Sequence, residues 1–125
     1  RPDKTVVSLI GDGGFGMTIS ELSTAVQYKI NTITIVMNNN SWGAEKAYQK
    51  DFFGKRYIGA DISSPPFNKV AQLYGAKGFE VNKISEVNEA LKAALKCNKP
   101  AVINVNVDPK ALYSFRKDSF KYKEK

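Results

Sequence analysis

A carboxylate, a group of glycines and a run of asparagines are the residues of this sequence whose spacing could do chemistry. The stretch GDGGFG, residues 11–16, directly follows the apolar run TVVSLI, and Asn39 lies just beyond a second apolar run, TITIVM. Glycines between a strand and a helix let backbone amides approach a phosphate closely. Asp12 would repel that phosphate unless a cation lies between them. Because Mg²⁺ takes oxygen ligands and bridges carboxylates to phosphates, Asp12 and the strand-end amide predict a magnesium–phosphate site.

The same glycines also satisfy G-x-G-x-x-G, the pattern of dinucleotide-binding folds, through Gly11, Gly13 and Gly16. Such a site needs an acidic residue near the end of the second strand to bind the ribose hydroxyls. Here that strand ends in NNN, and no acid follows until Glu45. A nicotinamide or flavin site is therefore disfavoured. The alternative is that GDGG is only a tight turn and NNN only a strand end.

Composition indicates one globular domain and excludes several classes of site. The chain has 125 residues, 42% of them hydrophobic and 25% charged, with one cysteine, no histidine and a formal net charge of +7. Histidine-based zinc sites and nucleophile triads are excluded. Cys97 cannot form an internal disulfide, and no run is long enough for a membrane span. We expect a cytoplasmic protein that binds small anions, with no nucleic acid or membrane partner.

Alternating apolar patterns predict an α/β fold, a parallel sheet with helices on both faces. We expect a buried first strand, a turn at GDGGFG and a helix capped by Thr18 and Glu21 in T-x-x-E spacing. Ser85 is the expected cap of the last helix, and the connection after the second strand is expected to be long and irregular. Strands are predicted at 5–10, 32–37, 78–81 and 101–107, helices at 19–28, 67–75 and 86–96, and the irregular connection at 41–64. The last helix is expected to bury Val87, Ala90, Leu91, Ala94 and Leu95.

The stretch GDGGFGMTISELSTAVQYKINTITIVMNNNSWG closely resembles the thiamine diphosphate motif, which opens with GDG and closes with N or NN. Asn39 follows Asp12 by 27 residues, as that motif requires. The resemblance implies a thiamine diphosphate-binding fold, with the cofactors thiamine diphosphate and Mg²⁺. It implies that Asp12 and Asn39 bind Mg²⁺ by their side chains and Ser41 by its main-chain carbonyl. The residues implied to line the diphosphate are Gly11, Gly13, Gly14, Trp42 and Gly43.

The segment WGAEKAYQKDFFGKRYIGADI resembles the corresponding stretch of the sulfoacetaldehyde acetyltransferase family, and FRKDSF resembles that family's terminus. Acetolactate synthases usually carry a G-M pair where Gly43 and Ala44 stand. The implied reaction converts sulfoacetaldehyde and phosphate into acetyl phosphate and sulfite, with carbanion stabilisation supplied by the cofactor. Both substrates are anions, so basic side chains are candidates for contacting them. The candidate substrate-pocket residues are Glu45, Lys46, Lys55, Arg56 and Arg116.

The resemblance also implies what the chain needs from elsewhere. In that family the active site lies between this domain and the pyrimidine-binding domain of a neighbouring subunit, which carries the cofactor-activating glutamate. We therefore expect residues 1–125 to be one C-terminal cofactor-binding domain, a piece of a larger enzyme truncated at its N-terminus. Alone it is expected to be inactive, and its parent to be a homodimer or homotetramer. Alternatives are acetolactate synthase, another pyruvate-using thiamine diphosphate enzyme, or a non-catalytic nucleotide-binding module.

Overall fold

The computed structural model describes residues 3–114 as a parallel sheet of four strands in the order β1-β2-β4-β3. The register pairs Gly11 with Met37 and Ile35 with Ile103, so the carboxyl ends of the strands lie together at the same end of the sheet. The elements are β1 Val7–Gly11, α1 Asp12–Thr18, α2 Glu21–Gln27, β2 Ile33–Asn38, α3 Gly43–Phe52, α4 Phe67–Leu73, β3 Lys77–Val81, a 3-10 turn Ile84–Glu86, α5 Val87–Lys96 and β4 Ala101–Asn106.

Helices cover both faces of the sheet, as the sequence predicted. Alternate strand residues point to opposite faces, so Val102 and Ile103 belong to different hydrophobic clusters. Val102 packs with residues of α1, α2 and α4, among them Phe15 and Phe67, whose rings meet edge to face at 5.1 Å. Ile103 packs with α5 through residues that include Ala94. The prediction of an α/β sheet covered on both sides is confirmed.

The glycine-rich stretch is not the turn that its composition indicated. Helix α1 begins at Asp12, directly after β1, and a second short helix follows from Glu21. The predicted T-x-x-E cap is absent, because the Thr18 hydroxyl donates to the Phe15 carbonyl at 3.4 Å instead of capping the next helix. Glycine disfavours an isolated helix, but here Phe15 is buried in the core and anchors α1 to the sheet.

Two further local predictions were wrong. Ser85 does not cap α5, because a 3-10 turn precedes that helix and the Glu86 carboxylate accepts the backbone N–H groups of Asn82 and Lys83 at 2.8 and 3.1 Å. Leu95 was expected on the buried face of α5 but is 51% exposed, whereas Ala94 is buried.

Strand β1 was predicted to be buried, but it lies at one edge of the sheet. Within residues 3–114, no helix covers its α5-side face, and Leu9 is 71% exposed. The apolar run reports a strand suited to burial on both faces, whereas α5 covers only β3, β4 and part of β2.

The connection predicted as irregular contains a ten-residue helix, α3, from Gly43 to Phe52. Its aromatic side chains cluster at its end, where the Tyr48 ring lies 4.8 Å from Phe52 and 5.5 Å from Phe53. The tail from residue 115 onward lies outside the described residues.

Candidate functional site

Asp12 lies at the junction of β1 and α1, where its side chain is 1% exposed. The pairing of Gly11 with Met37 places this junction beside the end of β2. The Asp12 Oδ2 atom accepts a hydrogen bond of 2.6 Å from the hydroxyl of Ser64, a residue of the segment before α4. No side chain caps α1, so the amides of its first turn have no side-chain acceptor. The junction therefore combines a buried carboxylate with a helix start.

A close contact between Gly13 and the Trp42 ring forms the wall of a cavity next to Asp12. A Cβ atom added at Gly13 would lie 2.8–2.9 Å from three atoms of that ring, closer than carbon atoms pack. The cavity has a volume of about 270 Å³ and is lined by residues that include Asp12, Gly13, Trp42, Ile62, Ser64 and Phe67. Only glycine at position 13 lets the tryptophan approach the buried carboxylate.

The turn Asn39–Ser41 follows β2 and carries the other residues that the motif implied. The Asn39 Oδ1 atom accepts the Ser41 N–H at 3.2 Å and the Ser41 hydroxyl at 3.0 Å. Gly43 approaches the same amide, since a Cβ there would lie 2.9 Å from Asn39 Nδ2. Asn40 has a φ of 54°, in the left-handed region that asparagine tolerates better than most residues. The turn is thus a compact group of amide and carbonyl oxygens.

The segment before α4 returns to pair with this turn. The Trp42 N–H donates to the Ala60 carbonyl at 2.8 Å, and the Ile62 N–H donates to the Asn40 carbonyl at 3.0 Å. Ser41 and Asp61 form an antiparallel bridge between these bonds. The pairing explains how Ser64 arrives at Asp12, although 52 residues separate them. Sequence analysis missed Ser64, and no pattern within the irregular segment marked it.

The donor set suits a hard cation with a single protein carboxylate. Within residues 3–114, no group of three or more histidine, cysteine, aspartate or glutamate side chains could hold a metal. What the strand ends offer instead is the Asp12 carboxylate, the Asn39 amide oxygen and the Ser41 carbonyl. Mg²⁺ is typically bound by one or two carboxylates together with substrate phosphates, so these residues fit it. For Asn39 Oδ1 to bind a cation, the rotatable Ser41 hydroxyl would turn away.

A second cavity of about 270 Å³ lies beside α3 and contains two of the predicted substrate residues. It is lined by residues that include Glu45, Tyr48, Gln49, Phe53, Arg56 and Ser114. The candidates Lys46 and Lys55 do not line this cavity. The Lys46 ammonium group forms an ion pair with Asp61 and lies 5.6 Å from the centre of the Tyr57 ring. Arg116 lies outside the described residues.

The structure therefore divides the predicted site residues into groups. Asp12, Gly13 and Trp42 share the first cavity, while Asn39 and Ser41 belong to the neighbouring turn, with Gly43 close to the Asn39 amide at the start of α3. Gly11 is the N-cap of α1, and a Cβ at Gly14 would lie 3.2 Å from Ile10, so these two glycines line the helix start. Roles for all of them in binding a cofactor stay predictions.

Within residues 3–114, no helix is both long and apolar enough to cross a membrane.

Comparison with known proteins gives a consistent family. The sequence model described as "Thiamine pyrophosphate enzyme, C-terminal TPP binding domain" matches residues 1–105.

Individual relatives support the same family. A probable acetolactate synthase large subunit of Methanococcus aeolicus is 35% identical over 91% of this chain and 19% of its own length. A sulfoacetaldehyde acetyltransferase of Alcaligenes xylosoxydans xylosoxydans is 34% identical over 94% of this chain. The chain spans 20% of the length of that relative.

A solved structure shows the same fold. The thiamine diphosphate-dependent 4-hydroxybenzoylformate decarboxylase of Rhodococcus jostii RHA1 superposes with a TM-score of 0.80 and 33% sequence identity. The superposition covers 86% of this chain and 20% of that one. The chain therefore belongs to the thiamine pyrophosphate enzymes, as their C-terminal TPP-binding domain.

Proposed function

We propose that this chain supplies the diphosphate and Mg²⁺ site of a thiamine diphosphate-dependent sulfoacetaldehyde acetyltransferase. The observation that carries the cofactor part is the arrangement at the strand ends. Asp12 is buried at the start of α1, beside the oxygen-rich turn at Asn39 and the ring of Trp42. Burial of a carboxylate carries a desolvation cost, and a Mg²⁺ ion bridging Asp12 to a diphosphate would offset it.

Each residue has a distinct part in this proposal. Asp12 and Asn39 would hold Mg²⁺ by side-chain oxygens, and Ser41 by its main-chain carbonyl. The α1 amides at Gly13 and Gly14 would donate to the diphosphate, and Trp42 and Gly43 would bound its pocket. The cofactor supplies carbanion stabilisation when bound, while the protein supplies orientation and electrostatics.

The substrate assignment is supported by the relatives and by the cavity beside α3. Two sulfoacetaldehyde acetyltransferases match this chain at 34% and 35% identity over 94% of its length. Arg56 lines the cavity beside α3, where a guanidinium group could bind a sulfonate or phosphate by two hydrogen bonds. Lys46, being paired with Asp61, would instead hold the loop that carries Arg56.

Acetolactate synthase is the second candidate, and the sequence similarity that supports it is equally high. Relatives with that name are 35% identical over 91% of the chain and 36% identical over 88%. Under that alternative the same cofactor residues would serve pyruvate chemistry. The two candidates differ in their substrates and in their requirement for phosphate.

The assembly around the chain is also part of the proposal. Residues 1–125 would form one C-terminal domain of a longer cytoplasmic enzyme, a homodimer or homotetramer. The pyrimidine-binding domain of a neighbouring subunit would complete the active site, so the isolated chain is expected to show no turnover. Experiments on activity therefore use the full-length polypeptide that carries this sequence.

The activity test supplies that polypeptide with thiamine diphosphate, Mg²⁺, phosphate and sulfoacetaldehyde, and follows acetyl phosphate and sulfite. Equimolar and phosphate-dependent formation of both products is expected. Acetolactate formed from pyruvate, without turnover of sulfoacetaldehyde, would favour the second candidate. No turnover of either substrate, together with no binding of the cofactor, would contradict the proposal as a whole.

The matched pair Arg56→Ala and Lys55→Ala tests the substrate pocket. Both variants remove one positive charge from adjacent positions, but only Arg56 lines the cavity beside α3. Arg56→Ala is expected to raise the KM for sulfoacetaldehyde or phosphate about tenfold or more, the loss of a charged hydrogen bond, with Lys55→Ala close to wild type. Equal kinetics in the two variants would remove Arg56 from the pocket.

A further inference from the structure

Asn104 is a polar residue in the middle of the sheet that the proposed function does not use. It lies on β4, is 1% exposed, and shares its face of the strand with the core residue Val102. Both ends of its amide are hydrogen-bonded: Oδ1 accepts from Asn38 Nδ2 at 3.1 Å, and Nδ2 donates to Asn106 Oδ1 at 2.9 Å. A buried amide costs free energy even when it is bonded, so an apolar side chain would suit the core better.

These bonds are part of a longer chain of amides that crosses three strands at their carboxyl ends. Asn106 Nδ2 donates to Glu80 Oε1 at 3.2 Å and to Asn82 Oδ1 at 2.7 Å. Donation therefore runs from Asn38 on β2 through Asn104 and Asn106 on β4 to Glu80 on β3. We call this set, Asn38–Asn104–Asn106–Glu80, the amide chain.

The carboxylate at the end of the amide chain fixes its direction. An ionised glutamate accepts hydrogen bonds and donates none, whereas an amide can turn either end towards a neighbour. Glu80 therefore requires the NH₂ group of Asn106 as its donor. The oxygen of the Asn106 amide is then left to accept a hydrogen bond from Asn104. Because the NH₂ group of Asn104 donates to Asn106, the Asn104 oxygen faces the other way and accepts from the NH₂ group of Asn38. The amide oxygen of Asn38 is thus left to accept a hydrogen bond from a group outside the amide chain.

That oxygen holds the start of the turn that carries the proposed metal ligands. Asn38 Oδ1 accepts the backbone N–H of Asn40 at 3.2 Å. Asn40 has a φ of 54°, a conformation that a non-glycine residue keeps only when its surroundings favour it. Asn39 and Ser41 lie on either side of Asn40 in the chain. An Asn38 amide turned the other way would present NH₂ to that N–H and oppose the turn.

We propose that Asn104 is a positioning residue for magnesium, which acts through Asn38 to preset the Asn39–Ser41 turn. The inference rests on the proposed function, since it assumes that this turn binds the cation. It assigns a purpose to a buried amide that packing does not explain. Residues that orient metal ligands commonly change metal affinity about 10–100-fold when they are replaced.

The test uses the full-length polypeptide, dialysed free of metal, and measures thiamine diphosphate binding by calorimetry over a series of Mg²⁺ concentrations. Asn104→Leu, which has similar volume and no polar atoms, is expected to raise the Mg²⁺ concentration at half-saturation about tenfold or more. Its affinity for the cofactor at saturating Mg²⁺ is expected to stay within about threefold, because the diphosphate contacts lie elsewhere. A merely structural role would not separate these two quantities.

Ile103→Val is the matched control. It changes the neighbouring residue of β4, which faces the opposite cluster, and removes one methylene group without altering any polar atom. It is expected to lower stability modestly while leaving the Mg²⁺ requirement within about twofold. A shift as large as that of Asn104→Leu would show that any loss of sheet stability affects the metal, and would overturn the proposal.

Glu80→Gln tests the direction of the amide chain without disturbing the core, since Glu80 is exposed. It is expected to raise the Mg²⁺ requirement by a smaller factor, and to add nothing in the Asn104→Leu background, because coupled residues are not additive. An unchanged Mg²⁺ requirement in folded Asn104→Leu, or additive effects of the two substitutions, would overturn the proposal. If Asn104→Leu does not fold, an unchanged requirement in Glu80→Gln overturns it. Wild-type protein without magnesium-dependent binding would overturn the proposed function and this inference together.

Discussion

Gly13 and Gly16 lie in the same short helix, α1, but their surroundings differ. A Cβ at Gly13 would meet the Trp42 ring at 2.8 Å, whereas a Cβ at Gly16 would meet nothing within 4 Å. Alanine favours a helix interior over glycine, so Gly16→Ala is expected to raise the free energy of unfolding by about 0.5–1 kcal/mol. Gly13→Ala is expected to lower it by about 1–3 kcal/mol through overpacking. Urea denaturation of both variants checks the contrast, and equal shifts of the same sign would contradict the packing of Trp42 on Gly13.

Ser64 is the residue through which the segment before α4 contacts the buried Asp12 carboxylate. Ser64→Ala removes the donor 2.6 Å from Asp12 Oδ2 and is expected to cost about 1–3 kcal/mol in metal-free protein. With Mg²⁺ and thiamine diphosphate present, the deficit should shrink, because the cation compensates the same charge. Thermal unfolding with and without these ligands measures both values. Ser63→Ala, at an exposed neighbour, is the control, expected to change stability by less than about 0.5 kcal/mol. An equal Ser64→Ala deficit under both conditions would argue against a cation at Asp12.

At the residue scale, the sequence predicts roles for Asp12, Asn39 and Trp42 because a spaced motif links two strand ends. It could not identify Ser64 or Asn104, since their roles depend on contacts between distant segments. Asn104 follows Ile103 in an ordinary strand pattern, and only the register of β2 against β4 brings it to Asn38. Side chains that act through tertiary contacts leave no local signal.

At the scale of elements, the four strands and helices α2, α4 and α5 were predicted correctly, while helices α1 and α3 were missed. Periodicity reveals β2, β4 and α5, because each buries a regular face. Helix α1 contains three glycines within its seven residues, so propensity argues against it. Helix α3 was hidden because its aromatic residues gather at one end instead of forming a continuous stripe. In both cases tertiary packing overrides local preference.

The start of α5 depends on Glu86, whose carboxylate accepts hydrogen bonds from the backbone N–H groups of Asn82 and Lys83. These bonds hold the pKa of Glu86 below its ordinary value. A carboxylate with a depressed folded-state pKa stabilises the protein above its unfolded pKa, and the contribution is lost as pH falls through the folded value. Glu86→Gln is therefore expected to be less stable than wild type at neutral pH, with the gap closing in acid.

Chemical denaturation of wild type and Glu86→Gln between neutral and acidic pH measures that gap. Glu89→Gln removes the same charge from α5 and serves as the control for a general effect of charge. The cap would be contradicted by a gap between wild type and Glu86→Gln that stays constant across the pH range.

At the scale of the whole molecule, one row of the sheet passes from solvent to core. Leu9, Ile35 and Ile103 are register partners on the same face, yet Leu9 is 71% exposed and Ile103 is fully buried under α5. In the chain of residues 1–125, Leu9→Ala is expected to cost less than about 0.5 kcal/mol, and Ile103→Ala about 2–5 kcal/mol. Denaturation of both variants tests this; a Leu9→Ala cost above about 1.5 kcal/mol would mean that β1 is covered in solution.

The same row shows what the sequence could not reveal about the whole molecule. The apolar run of β1 predicted a buried strand, and the strand order places it at an edge instead. Strand order and coverage depend on all elements together, so a single run cannot determine them. The fold class, by contrast, follows from the alternation of strands and helices and was predicted correctly.

The central claim is that Asp12 at the strand ends binds thiamine diphosphate through Mg²⁺. Calorimetry of the full-length polypeptide, titrated with thiamine diphosphate in Mg²⁺ or in chelator, tests it most directly when wild type is compared with Asp12→Asn. We predict binding by wild type that depends on Mg²⁺, and loss of that dependence in a folded Asp12→Asn variant. Wild-type binding of equal strength in chelator, or an Asp12→Asn variant that keeps the full magnesium dependence, would contradict the account.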